Sequence, residues 1–215
     1  MAAQALQDAP ARGGKILLNR QDAKDAKKIL SGTNGTSPEV HVCIVPVAPE
    51  DAERVSALAG EIWRAHYPGI ISAAQIEYML AQRYDPALVR AELQRGDVWW
   101  DKLLIGEEIA GFASYFLTGV AGEMKLDKLY VHPLHQQQGY GGMLIARVTQ
   151  VARSHGCRRL TLAVNRNNRT AIAAYLKHGF RIADAVVSDI GSGFVMDDYL
   201  MEKALEPPMN ADERR

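Results

Sequence analysis

Gln136-Gln137-Gln138-Gly139-Tyr140-Gly141-Gly142 lies between an apolar, strand-like run at residues 126–131 and a helix-like run at residues 143–154. A strand, a glycine-rich loop and a helix start bring free backbone N–H groups together on one point. The first turn of a helix has no internal acceptors for these groups, and the helix dipole adds partial positive charge there. Glycines at 139, 141 and 142 let the main chain approach a bulky anion without interference from Cβ. The stretch therefore predicts a site for a phosphorylated small molecule.

Three phosphate loops compete for this pattern. A P-loop ends in Gly-Lys-Ser/Thr, whereas Gly141-Gly142-Met143 has neither the lysine nor the hydroxyl. A dinucleotide fingerprint needs a small residue where Leu144 stands, and an acidic residue about 20 positions on, where residues 158–162 have none. The third, Gln/Arg-x-x-Gly-x-Gly/Ala, fits as Gln136-x-x-Gly139-x-Gly141.

A second motif follows another apolar run at residues 159–164. Asn165-Arg166-Asn167-Asn168 precedes Ala171, Tyr175, Gly179 and Phe180. Asn168, Ala171 and Tyr175 step by three and four and share one face of a short helix. Gly179 stands at the left-handed helix stop. Together the two motifs resemble the GNAT superfamily of N-acetyltransferases, over roughly residues 39–205. Residues 194–203 also look like that family's last strand. The resemblance implies an α/β fold, a mixed, largely antiparallel twisted sheet of about six to seven strands flanked by helices. It also implies acetyl-CoA as cosubstrate and no metal.

Composition narrows the alternatives. Twenty-five basic and 25 acidic residues in 215 cancel to a formal charge of zero, which argues against nucleic acid as a partner. Basic residues do crowd the motif region: Arg147, Arg153, Arg158, Arg159, Arg166, Arg169, Lys177 and Arg181. Singly these read as a solvated face; collectively they suit a phosphate-bearing ligand. Cys43 and Cys157 make no disulfide framework, and His132-x-x-His135 lacks an acidic or cysteine companion for metal binding. No apolar run spans a bilayer, and residues 1–37 lack the order of a signal peptide, so the expected location is the cytoplasm, without a membrane partner. A homodimer is compatible with the sequence.

Residues 1–38 are small and polar and are expected to be a disordered extension; residues 206–215 are expected to be a flexible tail. Between them the pattern predicts a strand at 40–47 and a helix at 50–66. Ser72-Ala73-Ala74-Gln75 reads as a capping box for a second helix, and Asp85-Pro86 starts a third. Strands near 98–105, 109–117 and 123–131 follow.

The resemblance assigns roles. Backbone N–H groups from Gln137 to Gly142 hold the diphosphate, with Gln136, Gln138, Gly139, Tyr140 and Gly141 in the loop. Leu129, Tyr130 and Val131 carry the cofactor's arm and polarise the thioester, with Asn168 and Ala171 opposite. Tyr175 is the general acid: a phenol near about 10 and a thiol near about 8.5 exchange a proton at little cost. Asp127 is the expected general base, with Glu123 as the alternative. His66 and Tyr67 lie in an aromatic-rich loop, expected to be exposed, that contacts the substrate; Glu123, Asp197 and Asp198 could attract a cationic amine. The expected activity is acetyl transfer to a primary amine, a small or polyamine-like metabolite. A protein acceptor, a longer acyl donor and a non-catalytic acyl-CoA-binding module remain open at this level.

Overall fold

The computed structural model describes residues 40–205. The extension expected at 1–38, residue 39 and the tail expected at 206–215 lie outside them. Seven strands form one sheet in the order β1-β2-β3-β4-β5-β7-β6. They are β1 (Val42–Pro46), β2 (Val98–Ile105), β3 (Glu108–Leu117), β4 (Glu123–Val131), β5 (Arg159–Asn165), β6 (Arg181–Gly191) and β7 (Phe194–Ala204). All pairings are antiparallel except β4 with β5. The mixed, largely antiparallel sheet matches the expectation, and Pro46 sits on an edge strand, where a missing donor does least harm.

Helices cover both faces. α1 (Ala52–His66), α2 (Ala73–Arg83) and α3 (Pro86–Leu93) precede the central strands; α4 (Tyr140–Ser154) and α5 (Arg169–Lys177) follow them. Val55, Leu58, Ala59, Ile62 and Trp63 of α1 bury a helical stripe against Trp100, Ile109 and Phe112. Leu144, Ile145, Val148, Val151 and Ala152 of α4 bury theirs against Ala110, Ala113, Met124 and Leu160. Adjacent residues of β3 thus feed opposite cores, as the strand period of two requires.

Helix starts follow local chemistry with one departure. Asp85 accepts from the Ala87 N–H at 2.8 Å, with Pro86 in the first turn. Ser72 accepts from the Gln75 N–H at 3.2 Å, half of the expected capping box. Gln75 does not return the bond; its Nε2 donates to the Val195 carbonyl at 2.7 Å. A tertiary acceptor on β7 outcompetes the local one.

β4 is the strand that shapes the site. Its register on β3 skips Asp127, since Tyr115 pairs with Leu126 and Ser114 with Lys128. This bulge moves the strand's side chains between faces: Met124 and Leu126 lie in the α4 core, whereas Tyr130 packs in the α1 core. Before the bulge β4 pairs with β5 over Glu123, Met124 and Lys125; beyond it the two strands share no ladder.

Candidate active site

Where β4 and β5 part, a cleft of about 580 Å³ opens through the sheet. One mouth is lined by the 136–142 loop and by Asn168, Ala171, Tyr175 and His178; the other by Trp63, Tyr67, Met79 and Arg83 with Ser188, Ile190, Met196 and Asp198.

The His132 N–H donates to the Ala110 carbonyl at 2.8 Å, so backbone groups of even-numbered neighbours face β3. Alternation then turns Leu129 and Val131 toward the gap. The Val131 carbonyl accepts from Gln136 Nε2 at 2.9 Å, which leaves the Val131 N–H and both Leu129 groups facing the cleft. Tyr130 departs from the expected role: its backbone faces β3, and its side chain joins Trp63, Tyr84 and Phe112. Gln136 also departs, since its amide is occupied with Val131 rather than held out to an anion.

Beyond the strand the chain coils tightly. Gln137 adopts φ 60° and Gly139 φ 88°, and Gly139 caps α4 without a side chain. The N–H groups of Gln137, Gln138, Gly139, Tyr140, Gly141 and Gly142 donate to no acceptor among the described residues. Six consecutive free donors at a helix start are an arrangement that suits an anion. Behind it, Arg147 of α4 donates to Asp101 at 2.9 Å, and buried Asp101 also accepts from the Tyr115 hydroxyl at 2.6 Å. Arg147 therefore anchors the helix instead of meeting phosphate. Arg159, Arg166 and Arg181 are likewise engaged, with Glu123 and Glu202, Asp197, and Glu202 respectively. Half of the expected basic field is thus neutralised within the fold; Arg153, Arg158, Arg169 and Lys177 form no ion pair among the described residues, and Lys177 lines the cleft.

Asn168 caps α5, its Oδ1 accepting from the Ala171 N–H at 3.2 Å. Tyr175, two turns on, is half-buried and stacks edge-on against Phe180 at 5.6 Å. Burial, reinforced by Tyr67, pushes its phenol above the ordinary range, so it stays protonated at neutral pH and gives up its proton less readily than a free phenol does. His178 abuts Gly142, where a Cβ would lie 2.7 Å from Cε1 of the ring. Burial, with Lys203 and Lys177 adding to it, lowers the imidazole's affinity for a proton.

The other mouth corrects three expectations. Tyr67 is buried, not exposed; its ring lies 4.3 Å from that of Trp63 and its hydroxyl 3.3 Å from that of Tyr130. His66 lines the same mouth. Glu123 is not there: it lies at the far end of β4, about 26 Å of strand from Val131, paired with Arg159 at 2.6 Å. Asp127 does line the cleft, but it is paired with Arg83 and Lys128, each at 2.7 Å. Burial alone raises its carboxyl, yet the two cations outweigh it and hold the group below the usual range. Such a carboxylate is a poor proton acceptor, which removes the physical basis for Asp127 as general base.

Some residues at this mouth carry no sequence signal. Ser188, Ile190 and Met196 arrive on the β6–β7 hairpin, whose tip is latched to α2 by the Tyr78 hydroxyl donating to the Ile190 carbonyl at 2.6 Å. Gln75 makes the second tie, to Val195. Arg83, which neutralises Asp127, ends α2 far away in the chain.

Residues 59–180 match the sequence profile of the acetyltransferase (GNAT) family. A spermidine N(1)-acetyltransferase of Thermoplasma acidophilum is 28% identical over 73% of this chain and 93% of its own length. A thialysine N-epsilon-acetyltransferase of Caenorhabditis elegans is 28% identical over 61% and 78%. The crystal structure of the PaiA N-acetyltransferase from Thermoplasma acidophilum, in complex with coenzyme A, superimposes with a TM-score of 0.68 at 24% identity. That match covers 76% of this chain and 99% of that one. No helix among the described residues is long and apolar enough to cross a membrane. With strands parted beside a free-donor loop, and a family profile spanning both motifs, the chain belongs to the GNAT family of acetyltransferases.

Proposed function

We propose that this acetyltransferase moves an acetyl group from acetyl-CoA to the primary amine of a small, cationic, polyamine-like metabolite, by direct attack in a ternary complex. The observation that carries the reading is the run of six free N–H groups at the start of α4, following a strand whose backbone faces an open gap. A diphosphate fits that run of donors, and the free groups of Leu129 and Val131 fit an amide-bearing arm and a thioester carbonyl. Acetyl-CoA supplies the activated acyl group. Asn168 and Ala171 line the opposite wall, and Tyr175 holds a proton for the departing sulfur.

Two further points support a small acceptor. The second mouth is narrowed by the hairpin that Tyr78 and Gln75 tie to α2, and the relatives described above are named for spermidine and thialysine. The test is thiol release from acetyl-CoA across a panel of amines, with an N-terminal peptide included. Turnover with polyamines and not with the peptide is the expected result. Thermal stabilisation by acetyl-CoA with no thiol release for any amine would replace the reading with a binding module.

A further inference from the structure

Two carboxylates line the mouth beneath α1 and α2, and they are in opposite states. Asp127 is spent on Arg83 and Lys128. Asp198 forms no ion pair among the described residues, and its Oδ1 is buried without a hydrogen-bond partner. Asp198 is half-buried, and a carboxylate with one desolvated, unpartnered oxygen costs free energy that an incoming cation returns.

Its position says which cation. Asp198 stands on β7 opposite Asn165 of β5, so β5 separates it from β4. One strand spacing, about 5 Å, separates its backbone from β5, and the open gap between the parted β5 and β4 lies between β5 and the Leu129–Val131 segment. An amine reacting at β4 is therefore not the one that Asp198 holds; a second charge on the same short molecule is. Resting on the amine-acetylation reading above, we propose that Asp198 is the specificity-determining residue for a doubly charged acceptor: its carboxylate takes the ammonium that does not react, and so selects diamines over monoamines.

The groups facing it are Asp197 beside it on β7, Lys125 from β4 and Tyr67 from the turn after α1. Burial first, then Asp197, raises the Asp198 carboxyl above its ordinary range, with Lys125 opposing. A bound ammonium stabilises the ionised form. Protonation in mild acid removes the anchor, so the preference for a diamine declines as pH falls.

The experiment compares a four-carbon diamine with butylamine as acceptors for the wild-type protein and for Asp198→Asn. The expected result is a wild-type preference for the diamine in kcat/KM that drops about tenfold or more in Asp198→Asn, mainly through KM, as for one lost charged hydrogen bond. An unchanged preference overturns the proposal. Calorimetry of the diamine with the CoA-loaded protein needs no turnover. Binding that depends on Asp198 while no amine is acetylated keeps the anchor and sinks the transfer reading. Turnover with diamine binding independent of Asp198 sinks the anchor alone. Should the substitution prevent folding, the wild-type pH profile decides: KM for the diamine rises in acid relative to butylamine, and parallel profiles refute the idea.

Discussion

The Gln136 side chain folds back onto the strand before it and donates from Nε2 to the Val131 carbonyl oxygen at 2.9 Å. It occupies the one acceptor at the end of β4 that faces the gap, so the strand's last free group there is the Val131 N–H. Gln136→Ala removes this brace, worth about 1 kcal/mol for a neutral hydrogen bond. The expected outcome is a severalfold rise in KM for acetyl-CoA, measured at saturating amine. Gln136→Glu is expected to be worse above the carboxyl's pKa, because two acceptors then face each other; equal effects for both variants would rule out this geometry.

Tyr175→Phe tests proton donation. The ring packs on Phe180 through its edge, a contact that phenylalanine retains. Binding of coenzyme A by calorimetry is therefore expected to survive, while kcat falls about a hundredfold to ten-thousandfold for loss of a general acid. Because burial raises this phenol, its ionisation does not shape the wild-type profile near neutrality. Wild-type turnover in the variant would exclude the hydroxyl from the chemistry.

Asp127 is expected to act on stability more than on rate. Asp127→Asn leaves Lys128, whose side chain is 2% exposed, without its nearer partner at 2.7 Å. The loss is about 2–4 kcal/mol, discounted because Arg83 is partly exposed. The sign with pH follows from the lowered carboxyl. Its contribution is complete above the unfolded value, about 3.9, and disappears as pH falls through the folded value. Melting curves from neutral pH down to about 3 should converge for wild type and variant. A constant gap between them would mean that the pair contributes nothing to acid stability.

Gly142→Ala brings a Cβ to 2.7 Å from the His178 ring, so the imidazole must swing away or the α4 start must shift. The expected cost is about 1–3 kcal/mol in thermal stability, with weaker acetyl-CoA binding. His178→Ala in the same chain is expected to recover most of both. Additive losses in the double variant would place the clash elsewhere.

Much of this site was readable along the chain because its rules are short-range. Glycines before a helix start, an asparagine cap, and Asn168, Ala171 and Tyr175 at helical spacing each reflect bonds within a few residues. The mixed, largely antiparallel sheet followed from the same motifs through resemblance. Asp127 and Tyr67 were misjudged for the opposite reason. A carboxylate's proton affinity depends on which cations surround it, and Arg83 arrives from a different helix. Tyr67 was expected to be exposed because a Tyr-Pro-Gly turn is usually a surface feature, yet Trp63 and Tyr130 enclose it.

Residue order alone was enough for the free-donor loop, the helix and strand sequence and the family, since backbone donors and hydrophobic periodicity are set by neighbours in the chain. Folding settled which charges are cancelled and which are left open. Gln75 chooses Val195 over its own helix start, Arg147 turns inward to Asp101, and Asp198 ends up half-buried with one carboxylate oxygen unpartnered. Electrostatic environment is a property of space, not of sequence separation, so only the packed sheet with its parted strands could assign it.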